Sequence, residues 1–183
     1  TGVQTCALPI CIMIPLWCDL NIKVHENVIQ WQFADLKTKA ISHDADQWKT
    51  FADPMNVFQL KIMSPWRLKS KHDTKFFWTK PYWNFPVFDN VSIPSAILEF
   101  KYQTGTNINL FFDLTKDYNM TLYHRQPMIQ IIPLSDKEVI FKNHLISIEE
   151  FDMLNYHIKF NGNYKTIKNI VKNKKSKCPF HSI

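Results

Sequence analysis

Several short segments of the chain alternate between apolar and polar residues. In the clearest of them, Leu20, Ile22 and Val24 are separated by Asn21 and Lys23. The same period of two recurs at residues 29–33, 58–62, 98–102, 108–114 and 118–122, and an apolar run follows at 128–134. Such alternation places one set of side chains on a buried face and the other in solvent, so each segment is predicted to be a half-buried strand.

Prolines lie between these segments and mark the predicted turns. They occur at Asp53-Pro54, Ser64-Pro65, Lys80-Pro81, Phe85-Pro86, Ile93-Pro94 and Gln126-Pro127. Proline has no N–H to donate to a β ladder, so it is found at strand ends and edges. Many short strands separated by turns are typical of a β-sandwich or barrel. We therefore expect a mainly β fold with a single sandwich or barrel domain.

Helical patterns are confined to two places. Residues 44–52 predict a short helix between strands. Farther along, Ser147 is followed three residues later by Glu150, which is the spacing of a capping box at a helix N-terminus. This predicts a helix that starts at 148 and continues to about Ile158, with further short helical structure towards the C-terminal end.

The first ten residues resemble the in-frame translation of a short-read sequencing adapter. We therefore expect residues 1–10 to be non-native and the natural chain to begin upstream. Pro9 and Pro15 interrupt the apolar stretch 7–17, which is not interpreted as a signal peptide for that reason. The predicted division is a non-native segment at 1–10, a β domain at 11–147 and a helical, lysine-rich tail at 148–183.

Composition and charge change this outline only at the C-terminal end. Hydrophobic residues make up 45% of the chain and aromatic residues 14%, which argues against disorder. The formal net charge is +6, and no acidic residue follows Asp152. The basic character therefore belongs to the tail, where Lys172, Lys174 and Lys175 could contact nucleic acid. The chain has no apolar run of about 18 residues, so no membrane-spanning helix is expected.

A set of motifs is spread along the chain. Its members are Ser64-Pro65-Trp66, Ile97 to Gln103, Asn107-Ile108-Asn109, Pro133 to Asp136, Asn143 to Ser147 and Cys178 to His181. This set resembles a group of tailed-phage and environmental viral proteins of unknown function. The resemblance implies action in the host cytoplasm or the virion, with a second copy or another viral protein as partner. It implies no activity.

Two stretches, Ala96 to Tyr102 and Pro127 to Ile132, carry a second resemblance. Together they resemble the motif strands of the trimeric dUTPase and dCTP deaminase superfamily. The resemblance implies a pocket in which Glu99 activates water, Tyr102 stacks on the deoxyribose and Gln130 belongs to the later motif. It also implies Mg²⁺ as the cofactor.

The chain departs from that superfamily at several points. Ala96 stands where the family has a glycine, and neither the Arg-Ser-Ser phosphate element nor the glycine-rich C-terminal arm has a counterpart. Hydrolysis of a triphosphate needs several positive donors and usually Mg²⁺ to offset the charge on the transferring group. The resemblance therefore bears on the fold more than on the activity, and outside this alternative no cofactor is expected.

Aromatic residues are dense between positions 66 and 88. Trp66, Trp78 and Trp83 are interleaved there with lysines. Such a surface could stack the bases of a single-stranded nucleic acid while the lysines contact its phosphates. The favoured interpretation is that the tryptophans fill the core and seal strand ends, with the lysines extending outward.

Cys178 and His181 have the C-x-x-H spacing that suits two ligands of a zinc ion. A structural zinc site needs four ligands, and the sequence has no second pair with such spacing. A plain tail is therefore favoured over a metal site.

The sequence thus predicts a phage-type protein with a binding or assembly role and no catalytic activity. The alternative is a nucleotide-processing enzyme with Glu99, Tyr102 and Gln130 in its pocket. A third option is single-strand nucleic-acid binding. The enzyme requires Glu99 in a concave pocket beside cationic groups, whereas an assembly protein requires an exposed apolar patch.

Overall fold

Antiparallel strands dominate the structure, a computed structural model that describes residues 11–82 and 89–151. The strands are β1 (Ile12–Pro15), β2 (Leu20–His25), β3 (Val28–Phe33), β4 (Ala40–Ile41), β5 (Val57–Ile62), β6 (Lys75–Thr79), β7 (Val91–Ser92), β8 (Ala96–Leu98), β9 (Ile108–Asp113), β10 (Tyr118–Leu122) and β11 (Pro127–Leu134). They form sheet A in the order β1-β11-β6-β8, sheet B in the order β10-β2-β3 and sheet C in the order β4-β5-β9-β7. The expected mainly β class is confirmed, and the arrangement is compatible with a sandwich-like domain.

One hydrophobic core joins the three sheets. Ile129 of sheet A, Ile22 of sheet B and Leu60 of sheet C are fully buried in the same cluster of side chains. Sheets B and C also meet through an aromatic pair, since the ring centroids of Trp31 and Phe58 lie 5.5 Å apart. Burying these side chains is the main contribution to the stability of the fold, at roughly 1.5–3 kcal/mol for each large apolar side chain.

The strand β2 follows its sequence pattern closely. Leu20, Ile22 and Val24 are buried, and the residues between them are exposed. The same period of two correctly predicts β9 and β10, whose inward side chains belong to the shared core or pack against it. Alternation succeeds in β2 because one of its faces lies on the core and the other in solvent. β9 keeps the pattern on its inner face, although Phe111 on its outer face is also buried, with its ring centroid 5.7 Å from that of Trp48.

The strand predicted at 98–102 is wrong. β8 ends at Leu98, and the backbone then turns, with the N–H of Tyr102 donating to the carbonyl of Glu99 at 3.1 Å. Phe100 is buried nonetheless, because its ring packs 5.2 Å from that of Phe76 on β6. The alternation of apolar residues here reflects a turn folded onto sheet A rather than an extended strand.

The strand β6 has no counterpart among the predicted strands. Phe76, Trp78 and Thr79 are all buried, so consecutive side chains on opposite faces of sheet A are covered. A strand that is covered on both faces loses the period of two, and its sequence then resembles a plain apolar cluster.

Helical structure is sparse in the described part of the chain. The helix expected at 44–52 is reduced to a single 3-10 turn at Ala45–Gln47, where Asp44 accepts the N–H of Asp46. The predicted capping box is confirmed, because Ser147 N–H donates to the Glu150 carboxylate at 3.1 Å and Glu150 N–H donates to Ser147 Oγ at 3.2 Å. The predicted continuation of this helix beyond 151, the lysine-rich tail and segment 1–10 lie outside the described residues. Within residues 11–82 and 89–151, no helix is long and apolar enough to cross a bilayer.

Candidate functional site

Glu99 follows β8 directly and lies half-buried in the turn that ends it. Because Leu98 is paired with Phe76, Glu99 is at the level of Lys75, the first residue of β6. Gln130 is paired with Thr79, the last residue of the same strand. Four residues of extended strand separate these two levels by about 13 Å. The structure therefore does not bring Glu99 and Gln130 into one pocket.

Gln130 is a buried polar residue in the middle of sheet A. Its neighbours on the adjacent strands are Met13 and Thr79. Its side-chain Oε1 accepts the backbone N–H of Tyr82 at 3.3 Å, and Thr79 Oγ1 lies 2.9 Å from the hydroxyl of Ser95. These contacts hold the segments that leave β6 and enter β8 against the sheet. Gln130 is thus placed as a structural link between segments.

Tyr102 is also buried, and its hydroxyl donates a 2.7 Å hydrogen bond to Oδ1 of Asp73. The ammonium of Lys101 lies 3.0 Å from the same carboxylate oxygen and 5.6 Å from the centre of the Tyr102 ring. The hydrogen bond with Asp73 raises the pKa of Lys101. Glu99 and Tyr102 do share one turn, but the ring of Tyr102 is enclosed, so it has no face free to stack on a sugar.

Trp66 is exposed to 45% on a loop that is fixed by buried polar groups. The hydroxyls of Ser64 and Thr106 lie 2.8 Å apart and are both buried. Ser64 Oγ accepts the N–H of Trp66 at 3.1 Å, and Thr106 Oγ1 donates to the Trp66 carbonyl at 2.8 Å. The backbone of Trp66 is therefore held from both sides while its indole stays at the surface.

Arg67 completes this loop and connects it to the helical residues that follow Ser147. Its Nη1 donates to the carbonyls of Ser64 and Trp66, each at 2.7 Å. The guanidinium carbon also lies 4.2 Å from the centre of the Phe151 ring, a cation–π contact. Partial burial lowers the pKa of Arg67, which stays charged. Exposed lysines at 69, 71 and 75 follow in the same segment.

The remaining predicted site residues fall into two groups. Trp78 is 5% exposed and belongs to the core, as the favoured interpretation of the tryptophans expects, so it cannot stack on a base. The others lie outside the described residues, namely Trp83, Lys172, Lys174, Lys175, Cys178 and His181. Among the residues that are described, no three His, Cys, Asp or Glu side chains come together as a metal site would require.

A perturbed basic pair, missed by the sequence analysis, lies on sheet C. Burial lowers the pKa of Lys61, and burial together with the charge of Lys61 lowers the pKa of His43. The buried side chain of Gln59 organises this surface by accepting the N–H of His43 at 2.8 Å and donating to Asn109 Oδ1 at 3.1 Å. No carboxylate among the described residues forms an ion pair with Lys61.

An apolar row crosses sheet A on the face turned away from the core. Phe77 of β6 is paired with Ile97 of β8 on one side and with Ile132 of β11 on the other. We call these three residues the outer row. Ile97 is 62% exposed, and Phe77 and Ile132 are half-buried. The outer row is not predictable from local sequence, because its members come from three separate strands and β6 is not among the predicted strands. The run of aromatic residues at 76–78, apolar on both strand faces, was the one available signal.

Comparison of the chain with protein-family models, curated proteins and solved structures finds no match. The two resemblances therefore remain predictions. The function therefore has to be inferred from the surfaces of the molecule itself. Two of them are distinctive, namely the loop that carries the exposed Trp66 and the outer row of sheet A.

Proposed function

We propose that this chain is a non-catalytic, phage-type protein that binds another viral protein subunit during assembly. The observation that carries the proposal is the outer row of Phe77, Ile97 and Ile132. An antiparallel sheet usually presents polar side chains on its solvated face, so a contiguous apolar row there is typical of a protein-binding surface.

The outer row is large enough to contribute measurably to binding. Ile97 stands at the centre of β8, the edge strand of sheet A, and is the most exposed of the three side chains. Leu134, on the same face of β11 and also exposed, lengthens the apolar surface. Fully burying one such side chain contributes about 1.5–3 kcal/mol, and a few residues of this kind usually dominate an interface.

The geometry gives the nucleotide-processing alternative less support. Glu99 and Gln130 lie at opposite ends of β6, and Tyr102 is engaged by Asp73. A shallow concave surface of about 250 Å³ lies on sheet B instead, where it is lined by Asp19, Asn21, Gln32, Phe33, Ala34 and Thr121. No part of that surface belongs to the implied nucleotide pocket.

Photo-cross-linking tests the proposal directly. A photoreactive phenylalanine analogue is placed at position 97 of the full chain, which is co-expressed with the proteins encoded beside it in its genome. The same analogue at position 49, where Lys49 is exposed in the turn that follows Ala45–Gln47, is the control. We expect one cross-linked product of defined mass from position 97 and none from position 49. Equal cross-linking at both positions, or none at 97, contradicts the proposal.

A thermal-shift panel separates this proposal from the enzyme alternative. The chain is heated with dUTP and with dCTP, in the presence and absence of Mg²⁺. A ligand at 100 times its Kd stabilises a protein by about 2.7 kcal/mol, which such a scan detects. We expect no shift. A shift that disappears in Glu99→Gln would establish a nucleotide site and overturn the non-catalytic proposal.

Single-strand nucleic-acid binding is kept as a second candidate because of one observation: the exposed indole of Trp66, whose backbone is held by hydrogen bonds, lies beside a lysine-rich segment. Fluorescence anisotropy of a labelled oligothymidine tests it. If the candidate is correct, affinity falls steeply with salt, and Trp66→Ala weakens binding by about 1–3 kcal/mol, which is roughly 5- to 150-fold. Tyr123→Ala, which removes an exposed aromatic ring beyond the end of β10, is the matched control. Absence of binding at low salt would remove this candidate.

A further inference from the structure

The strand β3 (Val28–Phe33) forms an open edge of sheet B. It is paired with β2 on one side only, and no strand among the described residues lies on its other side. Val28 is 58% exposed and Trp31 is 39% exposed. The row of unpaired backbone groups along such an edge is a template on which another strand can pair.

The hydrogen-bonding pattern between β2 and β3 fixes which backbone groups of β3 point outward. A two-residue turn joins β2 to β3, so His25 and Val28 close the hairpin as a hydrogen-bonded pair. Hydrogen-bonded and non-hydrogen-bonded pairs then alternate along the two strands. The N–H of Ala34 donates to the carbonyl of Asp19 at 2.9 Å, and this pair is hydrogen-bonded as the alternation starting at His25 and Val28 requires. Consequently the N–H and C=O groups of Ile29, Trp31 and Phe33 point away from β2.

The side chains of β3 lack the features that normally protect a sheet edge. Proteins block such edges with charged residues, proline, bulges or very short strands. The sequence from Val28 to Phe33 contains no charged residue and no proline, and its pairing with β2 is regular over its whole length. Of the other edge strands, β4, β7 and β8 are only two to three residues long, and β1 contains a proline and a register shift. β10 is also uncharged and free of proline, but it is one residue shorter than β3.

We propose that two copies of this chain pair through β3 in antiparallel fashion, with Trp31 opposite Trp31 of the second copy. This register places Ile29 opposite Phe33, so all three outward-pointing residues take part and each pair exchanges two hydrogen bonds. Apolar side chains oppose apolar ones on one face, and Gln30 opposes Gln32 on the other. The resulting two-fold contact is closed and self-complementary.

Pairing centred on Gln30 is less favourable. It also pairs outward-pointing backbone groups with each other, since Ile29 then lies opposite Trp31. However, it places Phe33 opposite Asn27 in the hairpin turn. Both the hydrogen bonds and the apolar contact of that pair are then lost at each end. The register centred on Trp31 therefore uses the edge more completely.

The dimer is independent of the proposed function, because β3 belongs to sheet B and the outer row belongs to sheet A. One six-residue strand pair buries less area than the roughly 1,200 Å² of a stable interface. We therefore expect a weak dimer, with a Kd on the order of 100 µM.

Sedimentation velocity of the full chain at rising concentration tests the dimer. We expect a concentration-dependent dimer that is abolished by Trp31→Lys, which places like charges directly opposite each other. Gln32→Thr, an uncharged change on the polar face of the same strand, and Ile97→Asn, in the outer row, should change the Kd by less than about threefold, since neither removes an apolar pair of this register. A monomer at all concentrations, or dissociation by Ile97→Asn instead, would overturn the inference.

Cysteine trapping tests the register without relying on the stability of Trp31→Lys, whose lost contact with Phe58 could unfold the chain. In the proposed register, residue 30 of one copy lies opposite residue 32 of the other, with their α-carbons about 4.5 Å apart, within the range that a disulfide spans. Under oxidising conditions, a mixture of Gln30→Cys and Gln32→Cys should therefore yield a covalent heterodimer, and both variants keep Trp31. Each variant alone is the control, because neither residue lies opposite itself in this register. A covalent homodimer from Gln30→Cys alone, or no cross-linked heterodimer from the mixture, would overturn the register.

Discussion

The phenol of Tyr102 donates a 2.7 Å hydrogen bond to Asp73 Oδ1 and so fastens the turn after β8 to the loop before β6. The backbone reinforces this link, since Ser70 N–H donates to the carbonyl of Phe100 at 3.2 Å. A hydrogen bond to a charged partner contributes about 1.5–3 kcal/mol.

Tyr102→Phe is therefore expected to lower the free energy of unfolding by about 1.5–3 kcal/mol, as measured by urea denaturation. Tyr123→Phe removes the hydroxyl of an exposed tyrosine and should change the stability by no more than about 0.5 kcal/mol. If the two variants are equally stable, the link to Asp73 does not stabilise the fold.

Thr106→Val tests the buried polar contacts beneath Trp66. Valine has nearly the shape of threonine but neither donates to the Trp66 carbonyl nor pairs with the hydroxyl of Ser64. The buried Ser64 hydroxyl loses this partner, whereas the Trp66 carbonyl keeps the hydrogen bond from Arg67, so the change should cost about 1–3 kcal/mol of folding free energy. Thr50→Val, at an exposed turn, is the matched control. A cost below about 0.5 kcal/mol in thermal and urea unfolding would contradict this account.

Tyr118→Phe should stabilise the protein. The Tyr118 hydroxyl is buried and has no hydrogen-bond partner among the described residues. Removing it relieves the desolvation cost of an unpaired polar group, so we expect the free energy of unfolding to rise by about 1 kcal/mol. Tyr123→Phe again serves as the control, and a lower melting temperature for Tyr118→Phe would show that the hydroxyl is paired.

The same residue predicts how stability depends on alkaline pH. Burial, together with the charge of Asp113, raises the pKa of Tyr118 to about 12 from an ordinary value of 10.0. Between these values the folded chain keeps a proton that the unfolded chain releases. The stability associated with Tyr118 is therefore complete below pH 10 and is lost as the pH rises towards 12. Urea midpoints measured from pH 9 to pH 11.5 should fall less steeply for Tyr118→Phe than for the wild type.

The hairpin turn between β2 and β3 is built from residues poorly suited to it. Glu26 and Asn27 both have positive φ, 50° and 62°, a conformation that favours Asn followed by Gly. The double substitution Glu26→Asn and Asn27→Gly should therefore raise the free energy of unfolding by about 1 kcal/mol. Glu26→Gln removes the charge without easing the backbone and should have little effect. A double variant no more stable than Glu26→Gln would count against strain in this turn.

Local patterns in the sequence predict the fold where a strand has one covered face. β2 is such a strand, and its alternation is reproduced residue by residue. Gln59 and Gln130 break the rule, because segments that precede them in the chain cover the outer faces of sheets C and A at these positions. A polar residue in an alternating segment predicts exposure, and nothing local to it reveals that another segment will cover it.

The site residues depend still more on tertiary structure. Trp66 and Trp78 have similar neighbours in the sequence, yet one is exposed on a loop and the other fills the core. Glu99 and Gln130 lie on motif-like stretches, but their separation follows from the register of β6 against β8 and β11. The outer row and the open edge of β3 likewise exist only once the strand order is known, and strand order is not encoded in any single segment.

The pairing of β1 with β11 has a consequence for synthesis of the chain. Ile12 is paired with Ile131, and Leu20 of β2 is paired with Leu122 of β10. Contacts between residues so distant in sequence form slowly, because long loops must close before any pairing is gained. A ribosome adding about 5–20 residues per second would need several seconds to deliver the partners of β1 and β2. During that interval β1 has no sheet partner and β2 is paired only with β3, so their apolar side chains stay partly exposed while the rest of the chain is synthesised.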